Sequence, residues 1–273
     1  MLSPQEMNAR LDRLFEKKLN FFLDPLATYL DLAHFYYYQI SNSGHFVNIG
    51  TNPAWKEFYF SNDSHLIHTP YLRHPDHFAN GVSFVKGLEH QEFEKLVEQG
   101  GERFNVNLSL QFMNKTDEGI EAFGFGINSK ALTHHLSLYQ ELPMLRLFIK
   151  KFKEAFHPFF PILKDHQIDL ARLVGKDFYK QPAAAGMPKS RSRSECLKKL
   201  GLDISTPLTA REQAVIKYLL NGNSASQIAK ELSISTRTVE HHMERIKNKL
   251  NCFSKGELMQ KALFLESLGE LSI

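Results

Sequence analysis

Eight side chains within one short stretch have the chemistry to hold a charged, hydrogen-bonding polymer: Thr236, Arg237, Thr238, Glu240, His241, Glu244, Arg245 and Lys249. Cations attract phosphate, and guanidinium, imidazole, hydroxyl and carboxylate groups offer donors and acceptors to base edges. A second, sparser set lies upstream. Trp55 and Tyr59 stand one helical turn apart, and His68 follows in a stretch that also holds His65, His74 and His77. An indole N–H beside a phenol gives directional binding of a small polar group. The histidine spacing matches no metal-ligand pattern, so a polar loop is expected there and no metal. The chain has no phosphate loop, nucleophile elbow or zincin helix. No enzyme and no cofactor are therefore expected.

The first set needs a helix, and its surroundings predict one. Four short helical patterns follow one another from Thr209 to Leu265, and three open with a hydroxyl residue three positions before an acid or amide: Thr209/Glu212, Ser224/Gln227 and Ser254/Glu257. That is the reciprocal N-terminal capping arrangement. The second pattern runs through Ser233-Ile234 into a helix starting near Ser235, the tight spacing of a helix-turn-helix. Along that later helix Val239, Met243, Ile246 and Leu250 recur at core spacing, leaving the polar set on the other side. The tight turn and a basic run upstream direct this face to the major groove of DNA.

These residues resemble the C-terminal DNA-binding domain of LuxR-type transcription regulators. The resemblance rests on Leu208-Thr209, Arg211-Glu212, Gly222, Ser224, Ile228-Ala229, Leu232, Ile234-Ser235, Thr238-Val239, His242, Lys249-Leu250 and Ser254. It implies a four-helix domain whose third helix reads double-stranded DNA and whose last helix pairs two subunits, with RNA polymerase as a further partner. Where the family often has basic residues on the reading face, this chain has Glu240 and Glu244. Carboxylates repel phosphate but can accept a hydrogen bond at a base edge.

Charge is divided in the same way. The net charge of +3 conceals 15 Lys+Arg against 8 Asp+Glu in residues 180–266, a difference of +7, and 18 against 21 in residues 1–179, a difference of −3. Phosphate attraction belongs to the basic half. No apolar run reaches bilayer length and the first residues do not read as a secretory signal, so no membrane partner and a cytoplasmic location are expected. Cys196 and Cys252 form no disulfide or metal framework. Residues 181–188, bracketed by Pro182 and Pro188, followed by Lys189, Arg191 and Arg193 among serines, predict a linker. The expected organisation is residues 1–179 as a sensor domain, 180–204 as a basic linker and 205–273 as the helix-turn-helix domain.

The first half alternates differently. A helix with apolar face Met7, Leu11, Leu14 and Phe15 is expected, then a second helix opened by Asp24-Pro25 and running to about His34. Strands at 35–40 and 45–49 join at Asn42-Ser43-Gly44. Asn52-Pro53 opens a short helix, a strand near 82–85 precedes a helix at 89–99, and strands at 104–113 and 119–127 form a hairpin. A helical tract from 131 to 156 should bend at Pro143. The expected class is α+β, an antiparallel sheet covered by helices of the broad PAS/GAF sensory type, joined to an all-α helix-turn-helix domain. On the hairpin, Val106, Leu108, Leu110, Phe112, Phe123, Phe125 and Ile127 make a bulky face. Asn105, Asn107, Ser109, Gln111, Ala122, Gly124 and Gly126 make a small or polar one, where a ligand could sit.

Thr51-Asn52-Pro53-Ala54-Trp55 with Tyr59 is similar to the pocket segment of LuxR-type autoinducer-binding domains, which implies ligand contacts from Trp55 and Tyr59. The family's pocket aspartate should fall near His68, a second tryptophan near Phe84-Val85 and a glycine near Asn107; none is present. A divergent sensor follows, with a ligand other than an acyl-homoserine lactone, or with none. The functional expectation is a homodimeric DNA-binding regulator gated by a small molecule. The alternative is a ligand-independent regulator whose first domain mediates dimerisation or protein contacts.

Overall fold

The computed structural model describes residues 4–61, 72–78, 80–84, 91–128, 132–179, 208–267 and 271. Contacts divide the chain into two compact units, Met1–Ala185 and Gly186–Ile273. The proposed linker and His68 lie outside the described residues.

The first unit is an antiparallel six-stranded sheet with helices, the α+β class expected. Its strands are β1 (Leu32–Ser41), β2 (His45–Gly50), β3 (Gly81–Phe84), β4 (Asn107–Thr116), β5 (Gly119–Ile127) and β6 (Ile168–Asp169), in the order β3-β4-β5-β1-β2-β6. Its helices are α1 (Pro4–Leu30), α2 (Pro53–Ser61), α3 (Gln91–Phe104), α4 (Leu132–Gln140), α5 (Leu142–Phe156), α6 (Phe160–Lys164) and α7 (Leu170–Val174). One sheet face carries Phe35, Tyr37, Phe123 and Phe125 against Leu11, Phe15 and Leu19 of α1 and Phe148, Phe152 and Phe156 of α5. Aromatic burial of this kind contributes about 2–3 kcal/mol per ring. The opposite face carries Tyr38, Ile40, Phe46, Met113 and Ala122 under Phe60 of α2, Leu72, Leu170 and Phe178.

Several boundaries differ from expectation. Pro25 does not open a helix; α1 continues through it to Leu30. The backbone turns at Asp31 instead, with φ 52°, and His34 lies in β1. Leu14 faces solvent because the buried stripe runs through Leu11, Phe15 and Leu19. The tract from 131 to 156 breaks at Glu141, two residues before Pro143. Proline then sits in the first turn of α5, where its missing N–H costs no hydrogen bond. Phe104 closes α3 rather than opening β4. In β4 a register shift between Leu108 and Leu110 places Asn107 opposite Ile127 and Leu108 opposite Gly126. The bulge inverts the alternation, so the two-face assignment holds from Leu110 onward and fails before it.

Among its described residues the second unit has four helices, α8 (Ala210–Leu220), α9 (Ala225–Glu231), α10 (Thr236–Leu250) and α11 (Lys255–Ser267). They bury Val215, Ile216, Leu219, Ile228, Val239, Ile246, Leu250, Leu258 and Ala262. Two of the three expected capping boxes are complete, Thr209/Glu212 and Ser224/Gln227. In the third, Ser254 accepts from the Glu257 N–H at 3.1 Å, but the Glu257 carboxylate takes the Phe253 N–H instead. Each of the first three helices ends on a left-handed residue: Gly222, Ser233 and Asn251. The N–H groups just beyond reach back five residues, from Asn223 to Tyr218, Ile234 to Ala229 and Cys252 to Lys247. These close the last carbonyls of each helix.

Candidate DNA-reading face and candidate sensor site

The turn between α9 and α10 is held from three directions. Ser233 reverses the chain with φ 52°, Ser235 accepts from the Thr238 N–H at 3.1 Å, and the Arg211 guanidinium of α8 donates to the Leu232 carbonyl at 2.6 Å. With Val239, Ile246 and Leu250 buried, the rotation of α10 is set. Its outer stripe then exposes Thr236, Arg237, Glu240, His241, Glu244 and Arg245. Six of the eight residues expected to touch DNA therefore share one accessible face. Among them Glu244 pairs with Lys247 at 2.6 Å, while no described cation pairs with Glu240.

Thr238 and Lys249 are placed differently. The Thr238 hydroxyl lies 2.7 Å from Ser235 Oγ, within the helix cap. The Lys249 ammonium donates to Glu212 at 2.7 Å, joining the end of α10 to the start of α8, and its side chain is 18% exposed. Glu212 is 1% exposed. Burial pushes its carboxyl up, yet the bonds from Lys249 and from Thr209 outweigh it and hold the group below its usual range. Glu212 was legible as a capping residue. Its partner, 37 positions away, carried no local signal. The outer side of α11 leaves Leu263 and Phe264 exposed.

In the first unit Asn52 opens α2 by accepting from the Trp55 N–H at 3.0 Å, and its amide donates to the Phe104 carbonyl at 2.8 Å. Trp55 and Tyr59 come together on one side of α2, with ring centroids 5.9 Å apart. Trp55 also packs on Phe58 and Phe104, and a Cβ at Gly100 would come within 3.2 Å of its ring. The indole is half-buried, and no described residue accepts from its N–H. Tyr59 packs against the cluster beneath α2.

The small-residue face is not open where Gly124 lies. A Cβ there would overlap the ring of Tyr36. The Tyr36 hydroxyl donates to Gln111 Oε1 at 2.9 Å, and Gln111 Nε2 donates to the Tyr38 hydroxyl at 3.0 Å. The two tyrosine rings stack with 8° between planes. Much of the room expected from glycine is thus filled by the protein itself. Sequence reading missed this because Tyr36 lies some ninety residues from Gly124 and meets it only through the β1–β5 register.

Three buried polar residues were also missed. Lys56 of α2 pairs with Asp12 of α1 and donates to the Asn48 carbonyl at 3.2 Å. Burial lowers the Lys56 ammonium, with Asp12 opposing, and burial raises the Asp12 carboxyl, with Lys56 opposing. His34 is buried beside Thr51, and burial, reinforced by the Lys56 charge, lowers its pKa to about 3. The helical spacing of α2 marks Lys56 as turned away from Trp55, but nothing local names Asp12 as its partner.

A tight turn joining two helices, the second with an exposed polar stripe and a fixed rotation, has the geometry of a helix-turn-helix. Residues 206–262 match the family of bacterial regulatory proteins described as the luxR family, so the second unit carries a luxR-family helix-turn-helix domain. The transcriptional regulatory protein TdiR of Thauera aromatica is 36% identical over 77 residues, covering 28% of this chain and 34% of that protein. The Fimbriae Z protein of Salmonella typhimurium is 41% identical over 56 residues, covering 20% and 27%. The matches thus span about a third or less of these relatives. Among solved structures, SdiA in complex with octanoyl-rac-glycerol aligns over 99% of this chain and 96% of that one, at 14% identity and a TM-score of 0.38. Among the described residues no helix is long and apolar enough to cross a membrane.

Proposed function

We propose that this chain is a sequence-specific, DNA-binding transcription regulator of the cytoplasm, acting as a homodimer and gated through its first unit. The observation that carries the reading is the luxR-family helix-turn-helix, with Thr236, Arg237, Glu240, His241, Glu244 and Arg245 exposed on one side of α10. Two such helices one turn of DNA apart would meet a pseudo-palindrome. Exposed Leu263 and Phe264 on α11 suit pairing of two copies, and RNA polymerase is the partner through which bound regulator would act. In this organisation residues 1–179 sense, 180–204 link and 205–273 read.

Gating is assigned to a small molecule with a compact polar head, seated by Trp55 and Tyr59 with His68. The half-buried indole, whose N–H no described residue accepts, supports that assignment. A long acyl chain suits the site poorly, because Tyr36 fills the volume over Gly124. The same filling favours a second reading, in which the first unit is a ligand-independent interaction module.

Fluorescence anisotropy on genomic fragments tests the DNA reading. Arg237→Ala and Arg245→Ala should weaken binding to every duplex and flatten the salt slope by about one counterion each. Unchanged binding to specific and random DNA refutes the assigned face. Thermal shift against a metabolite panel that includes acyl-homoserine lactones, with Trp55→Phe as control, separates the two readings of the first unit. Stabilisation that depends on Trp55 supports gating; operator binding with no thermal response supports the interaction module.

A further inference from the structure

We infer that Glu240 sets the sequence specificity of the recognition helix by accepting a hydrogen bond from the exocyclic amino group of a cytosine in each half-site. The inference rests on the proposed DNA-binding role and names the base chemistry of its target.

Glu240 lies in the second turn of α10, in the N-terminal half that approaches base edges in helix-turn-helix proteins. It is exposed on the same stripe as Arg237, three residues before, and His241 beside it. The two carboxylates of this stripe are not equivalent. Glu244 is engaged by Lys247 at 2.6 Å, whereas no described cation pairs with Glu240. A free carboxylate facing a polyanion is repelled unless it finds a donor. The major groove offers donors only from the amino groups of cytosine and adenine. Adenine places its amino group beside the N7 acceptor, which suits an amide that can both accept and donate. A carboxylate can only accept, so the cytosine edge is its match. The arginines at 237 and 245 supply phosphate attraction on either side, leaving Glu240 to discriminate rather than to bind.

The test is selection of bound duplexes from a randomised library by the intact protein, repeated with Glu240→Ala and Glu240→Gln, alongside affinity for a random duplex. Wild-type sites should share a symmetric C·G pair whose replacement lowers affinity about tenfold or more. Glu240→Ala should erase the preference at that pair alone and raise random-duplex affinity, since a repelled charge is gone. Glu240→Gln should shift the preference toward adenine. Variants that keep the wild-type base preference at every position overturn the inference while leaving the regulator reading intact. A wild-type protein that binds duplex without any sequence preference overturns both.

Discussion

Glu212→Gln isolates the ion pair that joins the end of α10 to the start of α8. Glutamine keeps an oxygen that can accept from the Thr209 N–H, bonded to Glu212 at 2.8 Å, and removes only the charge facing Lys249. A hydrogen bond between charged groups contributes about 1.5–3 kcal/mol. Lys249 is 18% exposed, so its freed ammonium can turn partly to water, and the loss should fall near the lower end, about 2 kcal/mol. Glu212→Ala also removes the acceptor for the Thr209 N–H, the reciprocal half of the capping box, a further ~1 kcal/mol. For a domain of this size each kcal/mol is roughly 4–8 °C, so glutamine should lower the transition by about 10 °C and alanine by more. Scanning calorimetry of the full chain, with amide exchange in α8 and α10 to assign the transition, measures both. The charge has a pH signature as well. Glu212 sits below its ordinary value of 4.5 when folded, so its contribution is present above that value and is lost as pH falls through the folded one. Glu212→Gln should remove that acid-sensitive part. A glutamine variant melting with the wild type, while alanine melts lower, would show that the cap alone matters and refute the argument for the pair.

His34 titrates at about 3 when folded and near 6.5 when unfolded, so the unfolded chain binds more protons between those values. Stability of the first unit should fall as pH drops through that window, by up to ~1.4 kcal/mol per unit; urea melts of His34→Gln should lack this slope, and an identical slope counts against it. Gly124→Ala should cost about 2–3 kcal/mol through overlap with Tyr36, and most of that cost should vanish in a Tyr36→Ala background; equal costs in both backgrounds refute the contact. Ser233→Gly relieves a left-handed residue and should stabilise the second unit by about 0.5–1 kcal/mol with no change in DNA affinity, read by calorimetry and anisotropy together.

What sequence could disclose depended on the range of the interaction. The capping residues Thr209, Ser224 and Ser254 and the apolar spacing of Val239, Ile246 and Leu250 act within a few positions, and the helix-turn-helix followed from them, with only the Ser254/Glu257 box incomplete. The hairpins expected at 35–49 and 104–127 were visible through strand alternation, the first also through turn chemistry at Asn42-Ser43-Gly44. Pro25 misled because a proline in α1 is tolerated where tertiary packing of Leu23, Leu26 and Leu30 holds the helix on both sides. The bulge between Leu108 and Leu110 leaves no compositional mark, so the ligand-face assignment failed at its start. Tyr36 over Gly124, Lys56 with Asp12 and Lys249 with Glu212 are meetings of distant residues, and no local pattern announces them. Of the candidate sensor residues, Trp55 and Tyr59 were paired by their helical spacing, which the fold preserves.

The three left-handed helix ends at Gly222, Ser233 and Asn251 mean that α8, α9 and α10 each carry their own stop within a few residues. The lengths of these helices are therefore set by short-range contacts, while distant pairs such as Lys249 with Glu212 fix how they pack. A module that defines its own segment lengths is portable: fused behind an unrelated domain, the helices from α8 to α11 should keep the same exposed face on α10, and new inputs become a matter of choosing what precedes them.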